Sequence, residues 1–272
     1  MTPRATAPSD VRDNARCVDA FFGTLLQAKD RVLMTDLDGT LAPFSENRDA
    51  VTPFDGVRER LERLVREART RLVVISGRPV GQVEAILRLA VPMEVWGEHG
   101  WERRRPSGPV ERLPIPPAAQ DALTTIRRSG FAVFDDVMET KRTGVAFHWR
   151  GLNVGTATLV REWAMGAGAA SPRGTLHTVA FDGGVELRVP GQSKGDAVRT
   201  VLEEAGALSV AAAYMGDDAT DEDAFLALRG RGLGVLVRPE RRPSAARCWL
   251  RPPRELLAFL ERWHATCTGD GR

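Results

Sequence analysis

Two aspartates one residue apart stand in the run Asp36-Leu37-Asp38-Gly39-Thr40-Leu41, directly behind an apolar stretch. Carboxylates so spaced can divide a phosphoryl transfer, one attacking phosphorus while the other manages the proton of the leaving group. Gly39 lets the chain turn sharply after them. A second candidate, Ser76-Gly77-Arg78, ends the next apolar stretch and offers a hydroxyl and adjoining amides that suit a phosphate oxygen. A third is Lys194-Gly195. Of the 38 basic residues only Lys29, Lys141 and Lys194 are lysine, so a retained lysine points to a place where a compact ammonium is wanted. Lys194 suits a point charge on phosphate. The fourth is Gly216-Asp217-Asp218-Ala219-Thr220-Asp221-Glu222-Asp223. The helix dipole favours acids at a helix start, but Asp217 and Asp218 fall in the loop before it, where hard oxygen ligands suit Mg²⁺.

These residues need elements to hold them. RVLMTD at 31–36 and RLVVI at 71–75 read as buried strands. Between them Val57, Leu61, Leu64, Val65 and Ala68 share a helical face, with Thr52-Pro53 as its cap and first-turn pair. Further on the pattern predicts a helix over about 79–90, a strand around 94–96, a helix over about 194–206 and a strand over 209–215. A helix from about 220, a strand over 233–237 and a helix over 254–264 complete it. The class is α/β, a Rossmann-like, mainly parallel sheet covered on both faces, whose carboxyl edge is the place for a ligand.

The middle of the chain breaks this alternation. Residues 102–188 read as an inserted α+β domain, between a core of 31–101 and 189–272, with an arm and leading helix at 1–30. Its two expected hairpins pair FAVFDDVME with GVAFHWR and TLHTVAF with GVELRV, the second turned by Asp182-Gly183-Gly184. Helical segments at about 117–129 and 153–166 accompany them.

Composition excludes several classes. With 43% hydrophobic and 27% charged residues the chain should fold, and a net charge of +2 with no basic stripe argues against a nucleic-acid partner. No apolar run approaches the roughly 18–20 residues of a membrane helix, and the N-terminus lacks a signal-peptide stretch, so a cytoplasmic protein is expected. Cys17, Cys248 and Cys267 form no CxxC pair, implying neither a disulfide framework nor zinc, and read as incidental thiols.

The order DxDGT, SGR, KG and GDDxTDED resembles the haloacid dehalogenase superfamily of aspartyl-phosphate phosphatases, from about residue 31 to 263. More narrowly it resembles the trehalose-6-phosphate phosphatase family. The narrower likeness lies in GEHG at 97–100, ETKRTGVAFHWR at 139–150, VELR at 185–188 and the TDED tail. One departure is Trp149 between His148 and Arg150, where tyrosine is usual.

The resemblance implies a haloacid dehalogenase core with an inserted cap, and roles follow position by position. Asp36 would be the nucleophile, and Asp38 the acid that protonates the sugar oxygen and then activates water. Asp217 would complete a Mg²⁺ site with the Asp36 carboxylate and the Asp38 main-chain carbonyl, supported by Asp218 and Asp221. Ser76, Gly77 and Lys194 would hold the phosphoryl oxygens. Glu139, Lys141, Arg150 and Glu186 of the cap would face sugar hydroxyls, whereas His99 and His148 read as histidines satisfied by neighbours, and Trp96, Trp101 and Trp149 as packing residues. The implied partner is a small phosphosugar substrate, and a monomer is expected. Sucrose phosphate, mannosyl-phosphoglycerate or a pseudodisaccharide phosphate are alternative substrates; a phosphomutase or a non-catalytic phosphosugar-binding module are alternative functions.

Overall fold

The computed structural model describes residues 11–45, 50–181, 183–206 and 209–269. The chain divides into two units, one formed by residues up to Glu111 and from Ser193 onward, the other by Arg112–Gln192. The first begins with α1 (Val11–Gln27), β1 (Asp30–Thr35), α2 (Val57–Arg66), β2 (Arg71–Ile75), α3 (Val80–Leu87), β3 (Glu94–Gly97), β4 (Glu102–Arg104) and β5 (Val110–Arg112). The second holds α4 (Pro117–Phe134), β6 (Met138–Lys141), β7 (Gly144–His148), α5 (Val154–Ala170), β8 (His177–Phe181) and β9 (Gly184–Arg188). The first resumes with α6 (Lys194–Ala205), β10 (Val210–Gly216), α7 (Glu222–Ala227), β11 (Leu233–Val237), β12 (Cys248–Leu250) and α8 (Arg254–Thr268).

Strands of the first unit form one sheet in the order β12-β11-β10-β1-β2-β3-β4-β5, parallel from β12 to β3. Both faces of these strands are apolar, as a parallel sheet covered by helices requires. Leu33, Val74, Ala213, Met215 and Val235 pack with Phe22 of α1, Leu61 of α2, Val83 of α3 and Phe259 and Trp263 of α8. Val32, Met34, Ile75, Tyr214 and Leu236 pack on the other side with Val198 and Val201 of α6 and Phe225 of α7. The strand order reverses between β1 and β10: the chain leaves β1 toward β2 and returns on the other side through β10. A crevice at such a reversal, at the carboxyl edge, is where open α/β sheets bind ligands.

The second unit is an antiparallel sheet, β6-β7-β9-β8, with α4 and α5. Alternation sorts its side chains. Val145, Phe147, Val185 and Leu187 are buried on one face, Phe147 against Trp163 of α5, while Glu139, Lys141, His148 and Glu186 share the other.

Several expected boundaries differ. The segment FAVF, expected in a strand, continues α4 to Phe134, whose ring meets Trp163 edge-on at 5.4 Å. Thr52-Pro53 does not cap α2; Phe54 instead hydrogen-bonds back to Leu41, and the helix starts after Gly56, at φ 81°. Residues 102–104, expected in the insertion, form β4 against β3 in the first unit. Their charges hid the strand: Glu102 accepts the Val80 N–H, and Arg103 is buried on Glu94 and Glu204. The expected hairpin turn at Asp182 lies outside the described residues, as does most of the expected polar arm at 1–12.

Candidate active site

Asp36 follows β1 and extends its ladder, its N–H donating to the Met215 carbonyl at 2.8 Å. That bond sets the carboxyl ends of β1 and β10 side by side. Lys194, at the start of α6 and 2% exposed, places its ammonium between Asp36 Oδ2 at 2.8 Å and Asp221 Oδ1 at 2.7 Å. Ser193 caps α6, its hydroxyl accepting the Asp196 N–H. Asp221 fills its remaining acceptor positions with the Tyr214 hydroxyl at 2.5 Å and the N–H groups of Asp217 and Asp218 at 2.9 and 3.0 Å. Gly216 makes this possible, since a Cβ there would stand 2.4 Å from the Asp221 carboxyl carbon.

Asp217 is also buried, 1% exposed, and differs in one respect. Its Oδ1 receives only the Thr40 hydroxyl at 3.4 Å, and its Oδ2 has no hydrogen-bond partner. An orphaned buried carboxylate oxygen is costly unless something positive meets it. Gly39, at φ 79°, gives it room, because a Cβ there would lie 2.3 Å from that oxygen. Oxygens of Asp36, Asp217 and Asp221 lie within 4.8 Å of one another. Three buried carboxylates facing one ammonium leave the cluster short of positive charge. Burial raises Asp36 to about 7, with Lys194 opposing and Asp221 adding to the rise; burial and the charges of Asp221 and Asp36 push Asp217 well up. The all-oxygen donor set and the orphaned Oδ2 fit a hard divalent cation such as Mg²⁺. Asp221, with four donors on its two oxygens, is left to position the loop.

Ser76 lies at the end of β2, buried, with its hydroxyl accepting the Arg78 N–H at 3.1 Å. The register that sets Thr35 opposite Val74 carries it to the same edge as Asp36. Gly77 lies under the His99 ring; a Cβ there would stand 2.7 Å from Nε2. The GEHG segment clasps this turn through bonds from Glu98 N–H to the Arg78 carbonyl and from His99 N–H to the Ser76 carbonyl, with Glu98 and His99 both left-handed at φ 48° and 58°. Asp38 points to Arg78, which donates from Nε and Nη2 to its two oxygens at 2.7 and 2.8 Å. Asp218 turns to cap the short helical turn at 219–221. The core candidates therefore meet at one edge of the sheet, with Asp36, Lys194, Asp217 and Asp221 in a single cluster.

In the second unit Lys141 contacts Glu186 at 2.9 Å and Glu139 at 3.6 Å, and His148 approaches Glu139 at 3.5 Å. Arg150 lies past the end of β7, its Nε 2.9 Å from the Cβ position of Gly183.

Sequence reasoning missed Tyr214, Arg78 as the partner of Asp38, and Arg238 and Arg242. The last two donate to the Asp217 carbonyl at 3.2 Å each, and Arg242 also to the Asp218 carbonyl at 2.7 Å. Tyr214 carried one signal, as the only tyrosine of the chain, two residues before Gly216.

A parallel sheet with this reversal and a carboxylate cluster at its carboxyl edge is a fold shared with the haloacid dehalogenase-like hydrolases. A solved hydrolase of that kind from Bacteroides thetaiotaomicron matches with a TM-score of 0.58 at 18% identity, over 86% of this chain and 99% of that chain. The C-terminal domain of C. albicans trehalose-6-phosphate phosphatase matches with a TM-score of 0.80 at 20% identity, over 97% and 99%. In sequence, the trehalose-phosphate phosphatase of Mycolicibacterium paratuberculosis is 34% identical over 244 residues, covering 84% of this chain and 60% of its own length. The family model for trehalose-phosphatase matches residues 34–250, and the chain belongs to that family. It spans about 60% of the length of the curated relatives it matches. No helix among the described residues is long and apolar enough to cross a membrane.

Proposed function

We propose that the chain is a Mg²⁺-dependent phosphatase that hydrolyses trehalose 6-phosphate through an aspartyl-phosphate on Asp36. The observation that carries this reading is the Lys194 ammonium bound to Asp36 beside the unpartnered Asp217 oxygen, at the reversal of the sheet. Lys194, the Ser76 hydroxyl and the Gly77 N–H receive the phosphoryl oxygens. The Asp36 carboxylate attacks phosphorus, forming the Oδ–P bond as the bond from phosphorus to the sugar oxygen breaks. Asp38 delivers a proton to that oxygen, giving up one of its two hydrogen bonds to Arg78 to do so. Asp38 then takes a proton from the water that attacks phosphorus, and Asp36 leaves as a carboxylate. Mg²⁺ held by the carboxylates of Asp36 and Asp217 and the Asp38 carbonyl would neutralise charge developing on the phosphoryl group. Asp221, saturated by its four donors, fixes Lys194 and the Asp217–Asp218 loop. The polar face of the second unit, with Glu139, Lys141 and Glu186, and Arg150 beside it, is the specificity surface, and charged hydrogen-bonding groups suit sugar hydroxyls.

Phosphate release across a phosphosugar panel, with and without Mg²⁺, tests this. Trehalose 6-phosphate should be the preferred substrate, chelation should abolish release, and Asp36→Asn should remove turnover while leaving the melting curve in place. Release by Asp36→Asn within about tenfold of the parent, roughly 1.4 kcal/mol in barrier, would reject the nucleophile. Preference for sucrose phosphate or another phosphosugar would keep the chemistry and reject the substrate.

A further inference from the structure

Two of the cysteines lie in the first unit, away from the carboxylates, where α1 meets the edge strand β12. Asn14 of α1 bonds to the edge strand β12 as a neighbouring strand would. Its Nδ2 donates to the Trp249 carbonyl at 2.9 Å and its Oδ1 accepts the Trp249 N–H at 2.7 Å. Cys17, three residues on, lies on the same helical face as Asn14. Cys248 directly precedes Trp249 and belongs to the apolar cluster against which Cys17 packs. Cys248 is buried and Cys17 half-buried.

A cleft of about 490 Å³ reaches Cys17, lined also by Thr24, Gly206, Arg231 and Arg247. It opens beside Val210 and Leu233, where β10 and β11 begin, at the edge of the sheet opposite Asp36. The neighbouring Cys248, with help from the Arg247 charge and against the effect of burial, draws the Cys17 thiol below its ordinary value. Cys17 and burial in turn push Cys248 up. Cys17, half-buried at the cleft, is the thiol a reagent meets first, and the buried Cys248 is left to resolve it.

We propose that Cys17 and Cys248 form an oxidisable dithiol site, which a small peroxide reaches through this cleft and converts to an intramolecular disulfide. The Cys17 thiolate attacks one peroxide oxygen: an S–O bond forms, the O–O bond breaks, and the departing hydroxide takes a proton and leaves as water. The Cys248 sulfur then attacks the Cys17 sulfenic acid; the S–S bond forms, the S–O bond breaks, and the released oxygen leaves as a second water carrying the Cys248 proton. Both sulfurs are oxidised and the peroxide is reduced, and a dithiol reductant reverses the change.

The test treats the full chain with hydrogen peroxide at neutral pH, then denatures it, alkylates it with iodoacetamide and maps the peptides. Two of the three thiols should escape alkylation, the unalkylated chain should be lighter by about 2 Da, and a peptide should join Cys17 to Cys248. Dithiothreitol should restore all three. Cys267→Ser should behave like the parent, while Cys17→Ser should form no internal disulfide and keep Cys248 alkylatable. A linked peptide containing Cys267, a disulfide between two chains, three alkylatable thiols after peroxide, or Cys17 recovered as a sulfinic acid beside an intact Cys248 would each overturn the assignment. None of these readouts depends on phosphatase activity.

Discussion

Asp217 and Asp221 sit four residues apart in one loop and are pushed in opposite directions. Burial raises both, but at Asp221 the Lys194 ammonium and the Tyr214 hydroxyl outweigh it and leave the carboxyl below its ordinary value. Asp217, with two carboxylates for neighbours and one oxygen unpartnered, ends well above. The environment divides equivalent side chains into one saturated with donors and one left with an open oxygen. Tyr214 is pushed up by burial and by the Asp221 charge, so its hydroxyl remains a donor. Tyr214→Phe removes that donor without opening a cavity. A hydrogen bond to a charged group contributes about 1.5–3 kcal/mol, so the midpoint of urea unfolding should fall by that equivalent with an unchanged slope. An unchanged midpoint would mean that water takes the hydroxyl's place. The acids of the cluster were legible because carboxylates behind buried strands have few structural uses. Tyr214 was not, because an aromatic residue inside an apolar strand reads as core, and only the fold brings Asp221 over its hydroxyl.

Helix α6 is fastened at both ends. Its first residue makes the ion pairs of the site; near its last turn Glu204 accepts from the two terminal guanidinium nitrogens of Arg103 at 2.7 and 2.6 Å and from Arg71 at 2.7 Å. Glu94, buried on β3, completes the network with Arg71, Arg103 and the Trp96 indole, and Arg103 also stacks on the Trp96 ring at 4.5 Å. Arg103, and after it Arg71, hold Glu204 down at about 2 from its ordinary 4.5, against the upward push of burial. A depressed carboxyl stabilises the fold above its unfolded value, and this contribution is lost as pH falls toward the folded one. Unfolding free energy of the parent should therefore fall more steeply between pH 4.5 and 2 than that of Glu204→Gln, as urea titrations at each pH will read. Parallel curves would show that the network contributes nothing specific to the fold. This network also explains why β4 escaped notice. A run of Glu and three Arg reads as solvated surface until Glu94, Glu204 and Glu84 are placed against it. The strands β1, β2, β10 and β11, apolar on both faces, declared themselves by composition alone.

At the scale of the molecule, the proposed function puts chemistry and selection in different units, the carboxylates in one and the polar face of Glu139, Lys141 and Glu186 in the other. Under the proposed function, Lys141→Ala and Glu186→Ala should each lower kcat/KM for trehalose 6-phosphate at least tenfold, on the order of 1.4 kcal/mol. Hydrolysis of a small aryl phosphate should change much less, and equal losses on both substrates would reassign these residues to support of the fold. The two-unit plan itself was legible, since strand and helix alternation lapses and then resumes; its borders were not, because β4 pairs with a strand that precedes it. The same interruption bears on how the protein is made. Val210 follows its partner Asp30 by 180 positions, with the whole second unit between them. At roughly 5–20 residues per second on the ribosome, β1 waits on the order of ten to forty seconds for β10, and through that interval the nascent chain carries β1 with one side unpaired. The strand that leads into Asp36 thus offers an open edge for a chaperone to cover while translation continues.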